Sequence, residues 1–424
     1  MSRPAADVLI EHATAVATCA SAAPRVGVRQ RELGLLQGAA IAGANGRIVY
    51  VGPSAALHDA VELQPAVRRI DASGCVVVPG FVDPHTHLVF AGDRGGELQR
   101  RLAGTSYAQI AAEGGGILAT VAATRTASDD ELLAGARVRL DEMLACGTTT
   151  CEAKSGYGLT TDSELKQLRV VRALDRSHPI DIRATFLGAH EVPPEYRARR
   201  AEYVALVIDE MIPRVAADAL ADYCDVFCED AVFTPEEATR ILEAGRRAGL
   251  TPRIHADELA ASGGSLVAAA VHARSADHLV FANEQAADAL ARAGVCAVLL
   301  PAASFYLKLG RFAPARMLIE HGVPVALATD VNPGGGFSPS MPFAMTLACF
   351  EMGLTLEEAL VAATINAAWS LDCADRVGSL EPGKQLDAVL VRGGLDELVR
   401  VGAPAIRIVI KRGRVVFGDT DSRS

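Results

Sequence analysis

Two histidines separated by one residue, His85 and His87, follow an apolar run in PGFVDPHTHLVFAGDR. Alternate side chains of an extended chain share a face, so both imidazoles can enter one pocket. Neutral imidazole is a common ligand of zinc-like ions. The same pair also fits two surface or loop histidines, so the metal reading needs partners from elsewhere. Four more polar groups follow other apolar runs: His190 after TFLGA, His255 after TPRI, His278 after SAD and Asp330 after VALAT. Singly, His278 reads as a satisfied core histidine and Asp330 as a cap for the next helix. Their shared place at strand ends groups them. A catalytic zinc-like site takes three or four N or O ligands and keeps one position for water. His85, His87, His255 and Asp330 fit that description, and a water held there becomes a nucleophile near neutral pH. Glu258, three residues after His255, can face the same cavity. Glu258, His278 and Asp330 are then the candidates for moving protons.

Other residues suggest what is bound. Arg94 lies in a loop with Gly92, Gly95 and Gly96. A guanidinium there suits a carboxylate held bidentately, or it is a solvated loop arginine. Tyr157, between two glycines in KSGYGL, either hydrogen-bonds substrate or packs its loop. The run DVNPGGG after Asp330 is a turn whose free N–H groups can hold an anion or a carbonyl, or a plain tight turn. Cys224 and Cys228, four apart in CDVFC, are a possible metal pair, but their flanks read as a buried strand. No GxxxxGK[ST] or GxSxG stretch is present, and GGGI at 114–117 lacks the context of a dinucleotide fingerprint.

Eight short apolar runs must position these groups: CVVVPGFVD ending near Asp83, TTTCEAK, IRATFLGA, CDVFC, TPRIHA, SADHL, VCAVLLP and VPVALAT. Alanine-rich helical stretches separate most of them. One starts at Thr234-Pro235, a good N-cap with proline at the first helical position, and stops before Gly249. The alternation predicts an α/β fold, a distorted (β/α)8 barrel with its active site at the carboxyl ends of the strands. A doubly wound sheet is the alternative. The chain ends differ, with short β-like runs and turn signals such as Asn45-Gly46. Residues 1–79 and 379–424 together predict one small β-sandwich domain, with the catalytic barrel, 80–378, inserted between them.

Composition supports a globular enzyme: half of the 424 residues are hydrophobic and 22% are charged. A net charge of −10 without a basic block disfavours nucleic acid. No window predicts a membrane span or a signal peptide. Nine scattered cysteines read as reduced thiols, and the expected location is cytoplasmic.

PGFVDPHTH, HADE and ATD, in that order, resemble the amidohydrolase superfamily. GTTTCEAKSGYGL, TFLGAHEVPPEY, HADELAASGG, SADHL and ALATDVNPG closely resemble the imidazolonepropionase family within it. The resemblance implies hydrolysis of the cyclic amide of 4-imidazolone-5-propanoate to N-formimidoyl-L-glutamate, the third step of histidine degradation. It implies one zinc or iron ion on His85, His87, His255 and Asp330, and a homodimer. Arg94, Tyr157 and His190 would contact this small-molecule substrate, with Arg94 on the propionate. Glu258 would hold the ring, His278 would match the acid/base residue, and Asn332, Gly334 and Gly335 would line the pocket. Binuclear superfamily members carry a modified lysine after the fourth strand. Here that strand runs into Glu229 and Asp230, so one ion is expected; Lys154, which follows the second strand, is a poor substitute. Gly335 stands where the family usually has Ser or Thr; a backbone N–H would then replace a hydroxyl contact. Two other readings remain. A ring deaminase would keep the metal, release ammonia and need no Arg94. An inert barrel scaffold would need none of the ligands.

Overall fold

The computed structural model describes residues 3–419 apart from 107, 108, 111, 112 and 231. Eight parallel strands follow one another around a barrel in chain order. They are β1 (Phe81–Asp83), β2 (Thr148–Lys154), β3 (Asp181–Ala189), β4 (Tyr223–Cys228), β5 (Thr251–Ala256), β6 (Ser275–His278), β7 (Cys296–Leu299) and β8 (Val325–Leu327). Every run predicted as a barrel strand contains one. β1 and β8 meet through the Asp83 carboxylate, which accepts hydrogen bonds from Thr329 N and Thr329 Oγ1. Just past them, Asp330 N donates to His85 O at 3.1 Å. Helices separate the strands. The helix Pro235–Arg247 starts at Thr234, as its sequence predicted, and Gly249 follows it at φ +89°; the structure adds a full capping box with Glu237.

Alternation along β2, β4 and β5 sorts chemistry. In β2, Cys151 and Ala153 face the surrounding helices while Glu152 and Lys154 are buried inside. In β5, Ile254 and Ala256 pack outward while Arg253 and His255 point in. In β4, Cys224, Val226 and Cys228 belong to the outer hydrophobic layer, and a Cβ on helix residue Gly245 would come 2.9 Å from Cys224 Sγ. The two cysteines therefore pack a strand against a helix, and the metal role considered for them falls.

Both chain ends build two further sheets. A four-stranded sheet orders Arg47–Pro53, Ala39–Ala44, Ala5–Glu11 and Glu62–Asp71. A six-stranded sheet orders Arg414–Phe417, Ile406–Lys411, Ala388–Arg392, Cys75–Pro79, Ala15–Ala17 and Leu35–Gln37. The hairpin at Asn45-Gly46 has both residues at positive φ, 52° and 78°, as its sequence predicted. Val77, Leu390, Ile408 and Ile410 of the six-stranded sheet face Val8, Ile10, Ile41 and Ile48 of the other. The alternate residues Val76, Val78, Val389, Val391 and Val409 face the barrel. One sheet thus seals two cores, a consequence of its period of two.

The run CVVVPGFVD, read as one strand, is two. Cys75–Pro79 pairs with Ala388–Arg392 in the six-stranded sheet, while Phe81–Asp83 opens the barrel. The chain changes sheets at Gly80, where a Cβ would lie 2.3 Å from Thr149 Oγ1.

Candidate active site

The polar groups singled out in the sequence converge at the carboxyl ends of the barrel strands. His85, Thr86 and His87 lie just beyond β1 rather than on it. Cross-chain hydrogen bonds keep them extended: Lys154 N donates to Thr86 O at 2.9 Å and His87 N to Val331 O at 2.8 Å. His85 Nε2 stands 3.2 Å from His87 Nε2, and His255 Nε2 stands 3.3 Å from His87 Nε2. Asp330 Oδ1 is 3.7 Å from His85 Nε2 and 3.6 Å from His87 Nε2. His190 and His278 extend the cluster, so that His87, His190 and His255, and also His85, His255 and His278, form triads within 4.8 Å.

The donor chemistry tests whether this cluster suits a cation. His85 Nδ1 lies 2.6 Å from Asp277 Oδ2, and His255 Nδ1 lies 3.1 Å from Asp225 Oδ1. A carboxylate accepts, so each Nδ1 carries the proton and each Nε2 presents a lone pair. Both lone pairs face His87 Nε2, 3.2 and 3.3 Å away, where a single N–H can serve only one of them, while His87 Nδ1 is buried with no hydrogen-bond partner; an electron acceptor among the three nitrogens satisfies them together. Three nitrogens each about 2.0–2.1 Å from a tetrahedral centre stand about 3.3–3.4 Å apart. The donor set therefore fits a divalent metal.

Electrostatics agree. Burial first, then the Lys154 ammonium or neighbouring imidazoles, holds His85, His87 and His278 well below the usual imidazole range. They are neutral at physiological pH, as ligands must be. Burial, then His255, lowers His190 to about 3. Burial pushes Asp330 up to about 7, and a cation in contact would draw it down again. Glu258 is raised well above its ordinary value by burial, then by Asp330 and Glu229. It is a buried carboxylic acid able to donate as well as accept.

These groups open onto a cleft whose empty space, with the open solvent at its mouth, is about 510 Å³. Arg94 and Tyr157 line it, as do His190, Glu258 and His278. Glu97 Oε2 holds the Arg94 guanidinium, accepting from Nε at 3.0 Å and Nη2 at 2.9 Å. The Tyr157 loop is drawn in by the buried Glu164, which collects the backbone N–H groups of Gly156, Gly158 and Leu159 at 2.7–3.0 Å. His190 Nδ1 lies 3.0 Å from Gly156 O, which fixes the proton there and leaves Nε2 as an acceptor. Its ring stacks on His87 at 5.0 Å and 15°.

The turn after Asp330 differs from its expectation. Gly334 N and Gly335 N both donate to Asn332 Oδ1, at 2.8 and 2.6 Å, and Asn332 N donates to Gly336 O at 3.0 Å. These N–H groups are spent on the turn and are not available to an anion. Gly335 and Asn332 line the cleft, but the Gly335 amide cannot take over a lost hydroxyl contact. Gly334 lies against Arg94, where a Cβ would sit 2.2 Å from the guanidinium carbon. Glycine at 336 is obligatory, since a Cβ would come 1.6 Å from Asp330 O.

Sequence reasoning missed Asp225 and Asp277, which orient two histidines, and Glu97, which holds Arg94. It also missed Phe227, whose ring lines the cleft and lies 6.0 Å from that of His190. Strand alternation was the available signal: Asp225 and Phe227 share the inward parity of β4, as Asp277 does with Ser275 in β6.

The amidohydrolase family profile matches residues 76–416. Imidazolonepropionase of Symbiobacterium thermophilum is 49% identical over 97% of this chain and 98% of its own. That of Haloarcula marismortui is 46% identical over 92% of each chain. The chain belongs to the imidazolonepropionase family of amidohydrolases. Beyond the family, the fold matches an adenosine deaminase from Xanthomonas campestris with bound zinc, at 20% identity and a TM-score of 0.72 over 98% of this chain and 94% of that one. Members of the imidazolonepropionase family are hydrolases of carbon–nitrogen bonds, and this chain is such an enzyme. After β4, where binuclear amidohydrolases carry their modified lysine, Glu229 instead accepts from the backbone N–H groups of Glu258 and Leu259 at 3.0 and 2.8 Å. Among the described residues, no helix is long and apolar enough to cross a membrane.

Proposed function

We infer that this chain is an imidazolonepropionase, hydrolysing the cyclic amide of 4-imidazolone-5-propanoate to N-formimidoyl-L-glutamate in L-histidine degradation. One observation carries the reading: a divalent-metal donor set and a buried guanidinium line the same small cleft. The substrate pairs a ring carbonyl with a propionate, and the cleft offers a group for each. We assign the ion to His85, His87, His255 and Asp330; zinc and iron both suit these ligands. An ion held by these residues would supply Lewis acidity for the ring carbonyl and a water acidified toward neutrality.

The chain's own residues do the rest. Arg94, steadied by Glu97, holds the propionate and sets the ring's depth. Tyr157 and His190 flank the ring, and His190 Nε2 accepts from a ring N–H. Asn332 and Gly335 close the side of the cleft, and Gly334 packs behind the guanidinium. Asp330 takes the proton of the attacking water. As the ring C–N bond breaks, the nitrogen needs a proton, and the neutral His278 and protonated Glu258 stand 3.6 Å apart to relay one. Glu258 also holds the ring while it is closed.

We further propose two domains, 1–79 with 379–424 and 80–378, and a homodimer, which light scattering would test. All nine cysteines are unpaired, which supports a cytoplasmic location.

Purified protein with its metal measured should convert 4-imidazolone-5-propanoate to N-formimidoyl-L-glutamate without releasing ammonia. Chelation should remove at least 99% of turnover, and zinc or ferrous ion should restore it. Metal-replete protein that leaves the substrate intact defeats the reading, and ammonia release would favour a ring deaminase.

A further inference from the structure

Lys154 ends β2 with its side chain fully buried, outside the residues that line the cleft. Its Nζ lies 2.6 Å from Glu152 Oε1, 2.7 Å from Asp225 Oδ2 and 3.7 Å from Asp277 Oδ2. Each of these carboxylates supports a different part of the histidine cluster. Asp225 Oδ1 faces His255 Nδ1 at 3.1 Å and accepts from His255 N at 3.2 Å. Asp277 Oδ2 faces His85 Nδ1 at 2.6 Å. Glu152 Oε2 accepts at 3.2 Å from Thr86 N, the residue between His85 and His87. The backbone N–H of Lys154 itself donates to Thr86 O.

Three carboxylates therefore crowd one volume closed to solvent, where like charges repel strongly. Arg253 compensates only in part. Its Nη2 is 3.4 Å from Asp277 and its Nε is 3.9 Å from Glu152, while Nη1 and Nη2 donate to Ser370 O and Pro84 O at 2.8 Å. Neither distance matches the two short contacts of the lysine. Among the described cations, Lys154 alone reaches all three carboxylates within 4.0 Å.

We propose that Lys154 is a positioning residue of the metal site: its ammonium gathers Glu152, Asp225 and Asp277 so that His85, His87 and His255 keep their Nε2 lone pairs aimed at one point. It touches neither ion nor substrate and acts through the carboxylates. Groups that orient metal ligands typically set metal affinity within 10- to 100-fold. The inference rests on the assignment of those histidines as ligands, so its test must separate the two.

The test compares wild type, Lys154→Met, and the double variant Glu152→Gln/Lys154→Met, which removes one buried charge of each sign and keeps the local balance. Zinc dissociation constants are measured without substrate, by competition with a chromophoric chelator near neutral pH. Melting of the metal-free proteins is followed in parallel. Both variants should bind zinc about 10- to 100-fold more weakly. The double variant should melt above the single one, and its cobalt-loaded form should show an altered visible spectrum. A purely structural ion pair would lower melting without moving affinity or spectrum. Zinc bound as tightly by the double variant as by wild type overturns the proposal. A double variant that cannot fold also overturns it, by assigning Lys154 to core stability. Wild type that binds no divalent ion overturns the ligand assignment itself.

Discussion

Between the two terminal sheets the buried residues are aliphatic, with Val8, Ile10, Ile41, Val77, Leu390, Ile408 and Ile410 interlocking from both sides. Behind the histidines, equally buried space holds Glu152, Lys154, Asp225, Arg253 and Asp277. The first region is held by area removed from water, about 0.8 kcal/mol per methylene, and is indifferent to which methylene supplies it. The second is held by pairing, and every member depends on its partners. Burying charge is costly even when it is matched, so this part of the barrel spends stability on fixing side-chain orientation. The sandwich could be repacked; the charged network can only be kept or dismantled.

Asp277→Asn attacks that contrast most directly. It leaves Arg253 and Lys154 short of a carboxylate and releases His85. Metal-free protein should lose about 3–5 kcal/mol in urea unfolding, and metal content should fall with it. A loss below 1 kcal/mol would mean the network relaxes like an ordinary core. Arg94→Ala probes a third kind of buried charge, one facing substrate. The Michaelis constant should rise about 10- to 100-fold, the value of a charge-assisted contact, with metal content unchanged. Ile410→Val in the sandwich should cost about 0.5–1.5 kcal/mol and leave kcat alone; a change in kcat would show that the sandwich is coupled to the site.

The smallest expected effect is Glu258→Gln. An unfolded glutamate loses its proton near pH 4.3 (about), whereas burial keeps the folded one protonated to higher pH. Between those values the unfolded state binds fewer protons, so stability falls as pH rises. Glutamine escapes that loss. The variant, metal-free, should melt about 1–3 °C above wild type at pH 8 and level with it at pH 4, while turnover drops. Equal melting at both values would remove the burial effect.

These regions were not equally legible in the sequence. The barrel strands were, because each apolar run is short and is followed by a helical stretch. The strand-end histidines and Asp330 were, because polar groups behind apolar runs stand out. Asp225 and Asp277 did not, since one aspartate within CDVFC or SADHL says nothing of the histidine it meets across a neighbouring strand. Those pairings exist only once the barrel closes. Gly80 hid a change of sheet, because both sides of it are equally apolar. The turn at 332–336 misled because counting amides cannot show that Asn332 uses two of them.

The six-stranded sheet sets a condition on synthesis. Cys75–Pro79 takes its neighbour from Ala388–Arg392, about three hundred residues later. At about 5–20 residues per second, one edge of that strand stays open for roughly 15 s to a minute while the barrel emerges. The nascent chain then carries an uncovered valine-rich ribbon, Val76–Val78, until the closing strands leave the ribosome.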